Sequence, residues 1–296
     1  MHALAIISDK KQLISCNINE SKRRKIMKRI ASTIISLALA GTFAFSMTAF
    51  ASEETTTVKT VQEGKLNMAT NAEFPPYEYK EGDDFAGIDI EIAQAIADEL
   101  GLELVVNDVE FGSIIGGVQS GKYDIGLAGI TVTEERLQSI NFTDSYATGI
   151  QSIIVPEDSA IESVDDLAGE DVIIGVQQDT TGDIYCSDDY GDDHVVQYKT
   201  GADAVQALKS GKVSCVVIDN EPAKSFVAST TGLKILDTEY VVEEYAACIS
   251  KDNEELLTAV NEIIAKLKDS GKFQEIVDKY ITSDAEEETE TTEAAK

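Results

Sequence analysis

Cysteine, histidine and arginine are scarce in this chain, and positive charge is outnumbered. Of four cysteines, Cys186, Cys215 and Cys248 lie beyond residue 51. Their number is odd and their spacing fits no metal motif, so neither a disulfide framework nor a cysteine metal site is expected. They read as buried free thiols, with a single Cys186 to Cys215 bridge left open. Beyond residue 51 the histidine is His194, in an acidic stretch with Asp188, Asp189, Asp192 and Asp193 that reads as a solvated loop. No metal, no cofactor and no catalytic residue is assigned from such a set. The 24 Lys and Arg against 54 Asp and Glu argue against nucleic acid and anionic membrane surfaces as partners.

What is present begins with an address. Lys22, Arg23, Arg24, Lys25, Lys28 and Arg29 precede an apolar run over 30–50 that ends in Ala49-Phe50-Ala51, the order of a secretory signal peptide. Residues 1–51 are therefore set aside from the fold as N-terminal extension and signal, with cleavage after Ala51 and Met27 as an alternative start. No cysteine stands near the cut for a lipid anchor. An exported, soluble protein is expected. Its remaining 245 residues suffice for one large or two small domains and carry 16 Lys and Arg against 52 Asp and Glu, a formal charge of −36.

After a Thr/Glu-rich linker over 52–63, strand-like and helix-like segments alternate, which predicts an α/β fold. Strands are expected over 66–70, 102–106, 123–128, 172–176 and 214–218. Helices are expected over 89–100, capped by Gly101, and over 113–120, near 133, 203–210, 253–268 and 272–280. Ser120-Gly121-Lys122 and Ser210-Gly211-Lys212 each end a helix and feed a strand, which suggests two similar lobes. The acidic tail over 283–296 has almost no apolar bulk and is expected to be disordered.

Three clusters carry candidate chemistry. Arg136 is the sole arginine beyond residue 51. It lies in Ala128-Gly129-Ile130-Thr131-Val132-Thr133-Glu134-Glu135-Arg136, where a strand end runs into a helix start and Thr131 with Glu134 fits a capping box. Ligands of open α/β sheets bind at strand carboxyl ends, and a planar cationic fork there suits a carboxylate. The competing reading pairs Arg136 with Glu134 or Glu135 on the surface. Asn71-Ala72-Glu73-Phe74-Pro75-Pro76-Tyr77-Glu78 follows the first strand, where Phe74, with Phe111, either walls a ligand side chain or plugs the core. In the second half, Gln177, Thr180 and Thr181 follow one strand and Asp219 ends another. The threonines can donate to a carboxylate and Asp219 can accept from an ammonium, or they cap a helix and form a turn.

Together with Gly87-Ile88-Asp89-Ile90, Gly175-Val176-Gln177 and Ile218-Asp219-Asn220-Glu221-Pro222, these segments resemble the polar amino-acid branch of the bacterial extracellular solute-binding proteins, family 3, glutamine-binding type, over 64–282. The resemblance implies a two-lobed periplasmic-binding-protein type II fold, with lobe 1 over 64–146 and 248–282 and lobe 2 over 151–242. Two crossing strands, near 147–151 and 243–247, would join them. It implies a monomer that hands a free amino acid to the membrane permease of an ABC importer. Arg136, Thr131 and Thr181 would hold the α-carboxylate, Gly129 and Asp219 the α-ammonium, and Phe74 and Phe111 the side chain. Asn71 stands where cation-binding members carry Asp, which favours an uncharged polar ligand; Glu73 or Glu78 would serve an arginine or lysine receptor instead. Gln177 stands where the glutamine type carries Lys. A dehydratase on the same scaffold is the enzymatic alternative, with Glu73 as its candidate acid.

Overall fold

The computed structural model describes residues 58–237 and 240–281, so the signal, its cleavage point and the acidic tail lie outside the described residues. The chain enters lobe 1 on β1 (Lys65–Thr70) and folds a small antiparallel sheet from β2 (Glu73–Phe74), β3 (Glu78–Glu81) and β4 (Asp84–Ala86). It continues through α1 (Ile88–Leu100), β5 (Glu103–Asp108), α2 (Ile114–Gln119), β6 (Ile125–Gly126), α3 (Glu134–Ser139) and β7 (Asn141–Phe142). Ile88, Ile92 and Ile96 of α1 are buried against the sheet, the spacing expected of one helical face, and Gly101 closes the helix in the left-handed conformation.

β8 (Ala147–Pro156) leads into lobe 2, which contains β9 (Ile174–Gln177), α4 (Thr181–Tyr190), β10 (Val195–Tyr198), α5 (Gly201–Lys209), β11 (Cys215–Asp219), α6 (Asn220–Ser229) and β12 (Leu233–Ile235). β13 (Val241–Tyr245) runs antiparallel to the start of β8, pairing Val241 with Gln151 and Tyr245 with Ala147, and returns the chain to β14 (Cys248–Ile249) in lobe 1. α7 (Glu254–Asp269) and α8 (Lys272–Asp278) finish the fold. The sheet orders are β5-β1-β6-β14-β7 and β10-β9-β11-β8-β12, each mixing parallel and antiparallel pairs. This is the two-lobed α/β architecture expected, with β8 and β13 as the strands between lobes.

Several local expectations shift. The strand expected over 123–128 is regular only at Ile125–Gly126, because Asp124 turns its carboxylate onto the Val61 and Asn67 amides. The capping box at Thr131 and Glu134 does not form: Thr133 caps α3, its hydroxyl accepting from the Arg136 amide at 3.1 Å. Asp188 and Asp189 are helical rather than loop, and His194 Nδ1 lies 2.9 Å from the Val172 carbonyl. The Asp219-Asn220 turn is instead the start of α6. Cys186, Cys215 and Cys248 are buried and unpaired.

Candidate functional site

The carboxyl ends of β1, β6, β9 and β11 converge between the lobes on a narrow, closed cleft. All ten residues singled out from the sequence line it: Asn71, Phe74, Phe111, Gly129, Thr131 and Arg136 from lobe 1, with Gln177, Thr180, Thr181 and Asp219 from lobe 2. Ala128 and Glu78 complete the lining. Glu73 is exposed and does not reach it.

Arg136 is half-buried and spans the cleft. Its Nη1 donates to the Thr131 carbonyl at 2.9 Å, its Nη2 donates to the Asp179 carbonyl of the other lobe at 3.2 Å, and its guanidinium sits 5.5 Å over the Phe111 ring. Two backbone oxygens occupy two of five donors, which leaves N–H groups for an anion in the cavity. Asp179 reaches Arg136 in a left-handed conformation, φ 64°, rare for a residue with a side chain, and the Asp183 carboxylate accepts from its amide at 2.9 Å. Beside this group the Thr131 and Thr181 hydroxyls lie 3.5 Å apart across the cleft. Thr180 is committed to the fold: its hydroxyl donates to the Gln177 carbonyl at 2.7 Å and caps α4.

Gly129 adopts φ 52°, and a Cβ there would lie 3.0 Å from the Phe74 ring. Only a glycine lets the backbone turn this way against the aromatic wall. Phe74 stacks on Tyr77 with centroids 6.1 Å apart. At the same end, both functions of the Asn71 amide are engaged, Nδ2 donating to the Val109 carbonyl at 3.0 Å and Oδ1 accepting from Gln177 Nε2 of the other lobe at 2.8 Å.

Glu78 is fully buried in the lining, and its carboxyl has no partner but the Asp89 carboxyl, with which it shares a hydrogen bond. Behind it stands Asp89, also fully buried, whose Oδ2 accepts from the Gly129 amide at 2.9 Å and the Tyr146 hydroxyl at 2.8 Å while Oδ1 has no N–H or hydroxyl donor. Neither carboxyl has an ion pair among the described residues. Burial, then the neighbouring Asp89, hold Glu78 well above the usual carboxylate range, and burial pushes Asp89 up to about 6. Burial, then Glu243, also raise Asp219. Two buried carboxyls side by side resist joint ionisation; a cation or a retained proton resolves the conflict.

Glu78 carries weight that its place in the sequence barely signals. The signal is in the pairing: Phe74 and Glu78 face each other across the β2–β3 ladder, so both point to one side of the small sheet. Tyr245, Gln151 and Glu243 around the cleft carry no motif at all.

The model of the bacterial extracellular solute-binding proteins, family 3, matches residues 66–283. The arginine-binding extracellular protein ArtP of Bacillus subtilis is 30% identical over 230 residues, covering 74% of this chain and 87% of that protein. A solved structure of an ancestral arginine-binding protein bound to glutamine superposes with TM-score 0.71 at 34% identity, covering 75% of this chain and 100% of the other. The arginine-, lysine-, histidine-binding protein ArtJ of Geobacillus stearothermophilus gives TM-score 0.70 at 30% identity, covering 74% and 96%.

Proposed function

The chain belongs to family 3 of the bacterial extracellular solute-binding proteins, and we propose that it is the exported receptor of an ABC importer, closing its lobes on a free amino acid with a cationic side chain, arginine foremost. Glu78 is the observation that carries the choice of ligand. A fully buried carboxyl that lines the cleft with no N–H donor is stabilised by a cation reaching it, and a guanidinium fits two carboxylate oxygens at once. Asn71, whose lack of charge favours an uncharged ligand, has both its amide nitrogen and its oxygen engaged, by Val109 and Gln177, and leaves the choice to Glu78. ArtP and ArtJ bind cationic amino acids by name, which supports the reading.

In this reading the remaining N–H groups of Arg136, with the Thr131 and Thr181 hydroxyls, hold the α-carboxylate, and Asp219 with the Gly129 carbonyl holds the α-ammonium. Phe74 and Phe111 flank the aliphatic stem. Signal removal after Ala51, a monomeric state and delivery to a permease complete the proposal, and ArtP and ArtJ are binding proteins by name.

A thermal-shift panel of the twenty amino acids, citrulline and prephenate tests it. Arginine at about a thousandfold over its dissociation constant should add about 4 kcal/mol, or roughly 10 °C in Tm for a chain of this size. Stabilisation by no amino acid would sink the receptor reading, and turnover of prephenate would replace it with an enzyme.

Proton linkage gives a second expectation. Glu78, Asp89 and Asp219 all bind protons more tightly in the fold than in free peptides, so the folded protein loses stability as pH rises through their shifted ranges. A cationic ligand needs the ionised forms, so arginine affinity should rise from about pH 5 to about pH 8, with protons released on binding. Calorimetry in buffers of differing ionisation enthalpy measures that release. Citrulline, the same shape without the cation, should release fewer, and equal release by the two would contradict the role of Glu78.

A further inference from the structure

Tyr245 ends β13, one of the two strands between the lobes, and is completely buried. Its backbone lies between the lobes: it pairs with Ala147 of β8, forms a bridge with Thr131 of lobe 1, and its carbonyl accepts from the Tyr146 amide at 2.9 Å. Its phenol belongs to lobe 2, where the hydroxyl donates to Asp219 Oδ1. The ring lies between these points in a fitted slot. A Cβ on Gly149 would stand 2.5 Å from its hydroxyl and ring edge, one on Gly129 would stand 3.5 Å from it, and Tyr77 meets its edge at 5.2 Å between centroids and 77° between planes.

Asp219 sits in a poor place for a carboxylate, buried and beside the Glu243 carboxyl. A phenol donating to one oxygen favours the ionised form and fixes the plane of the group. Gln151 also hydrogen-bonds the group, and the carboxylate oxygens keep lone pairs for a further donor. We propose that Tyr245 is the positioning residue of the ligand's ammonium site: anchored by its backbone at Thr131 and Ala147, it aims the Asp219 carboxylate at the α-ammonium and ties that end of the ligand to the strands between the lobes. The inference rests on the assignment of Asp219 to the ammonium.

Calorimetry of wild type and Tyr245→Phe with L-arginine and with 5-guanidinopentanoic acid, which lacks the α-amino group, separates positioning from general damage. Tyr245→Phe should weaken arginine binding about tenfold, the loss of one hydrogen bond to a charged group, and change binding of the des-amino acid by less than about twofold. Equal losses on both ligands, or unchanged arginine affinity, would overturn the role. Gly149→Ala keeps the hydroxyl but displaces the ring, so it should reproduce the arginine-selective loss should the phenylalanine variant fail to fold; a loss shared by both ligands would again overturn it. Wild type binding the two ligands equally would remove Asp219 from the ammonium site and the inference with it. Wild type binding no arginine would instead overturn the choice of ligand, and the same comparison then runs with the most stabilising amino acid and its des-amino acid.

Discussion

Arg136→Lys should weaken arginine binding by about a hundredfold while moving the melting temperature of the ligand-free protein by less than about 2 °C. The guanidinium gives two of its donors to carbonyls of opposite lobes, Thr131 and Asp179, and retains others toward the cavity. A lysine ammonium has three donors on one atom and no second edge, so it cannot serve both carbonyls and a carboxylate in one plane. Losing a bidentate charged contact costs about 3 kcal/mol, which is that hundredfold. Stability should hardly respond, because the side chain is only half-buried and its Asp179 contact exists only when the lobes meet. Calorimetry and a thermal melt of the same preparation decide the matter. Binding as tight as wild type would remove Arg136 from the carboxylate, and a collapse in melting temperature would make it a structural residue.

The second large effect has opposite signs on binding and stability. Glu78→Gln should reduce arginine affinity about a hundredfold, leave citrulline binding equal or stronger, and raise the stability of the ligand-free protein by about 1 kcal/mol, or roughly 2–4 °C. The amide keeps the volume of the carboxyl but removes the conflict with Asp89, and it offers Asp89 a donor that no ionisation can remove. A purely structural Glu78 would lose stability on substitution and discriminate no ligands. An increase in melting temperature paired with a loss confined to cationic amino acids is therefore the distinguishing pattern. Differential scanning calorimetry with isothermal titration against arginine and citrulline reads both halves.

How legible each part of the molecule is in the sequence depends on how local its causes are. Helices α1, α5 and α7 announce themselves because apolar residues recur on one face: the spacing of Leu256, Val260, Ile263 and Leu267 points them inward, and all four are buried. The placing of Asp219 at a strand end and of Arg136 in the helix that follows another accords with the rule that such sheets bind at strand carboxyl ends, and the ten candidates do share one cleft. Local pattern does not resolve competition between nearby hydroxyls. Thr131 and Thr133 both suit a helix cap; the structure gives the cap to Thr133 and turns Thr131 toward Thr181. In the same way Thr180 takes the cap of α4 and Thr181 is left for the cleft. Tyr245 and Glu78 are harder still. One acts through a strand pairing with residues nearly a hundred positions away, and the other through a hairpin that sets it opposite Phe74. Neither contact leaves a periodic trace.

The bond from Gln177 to Asn71 and the grip of Arg136 on the Asp179 carbonyl join the lobes with protein atoms alone. Part of the free energy of closure is thus intrinsic to the polypeptide, and the open and closed forms differ by less than a ligand-only latch would give them. Gln177, Asn71 and Arg136 therefore weigh on the closing equilibrium itself, equally for every amino acid the cleft admits.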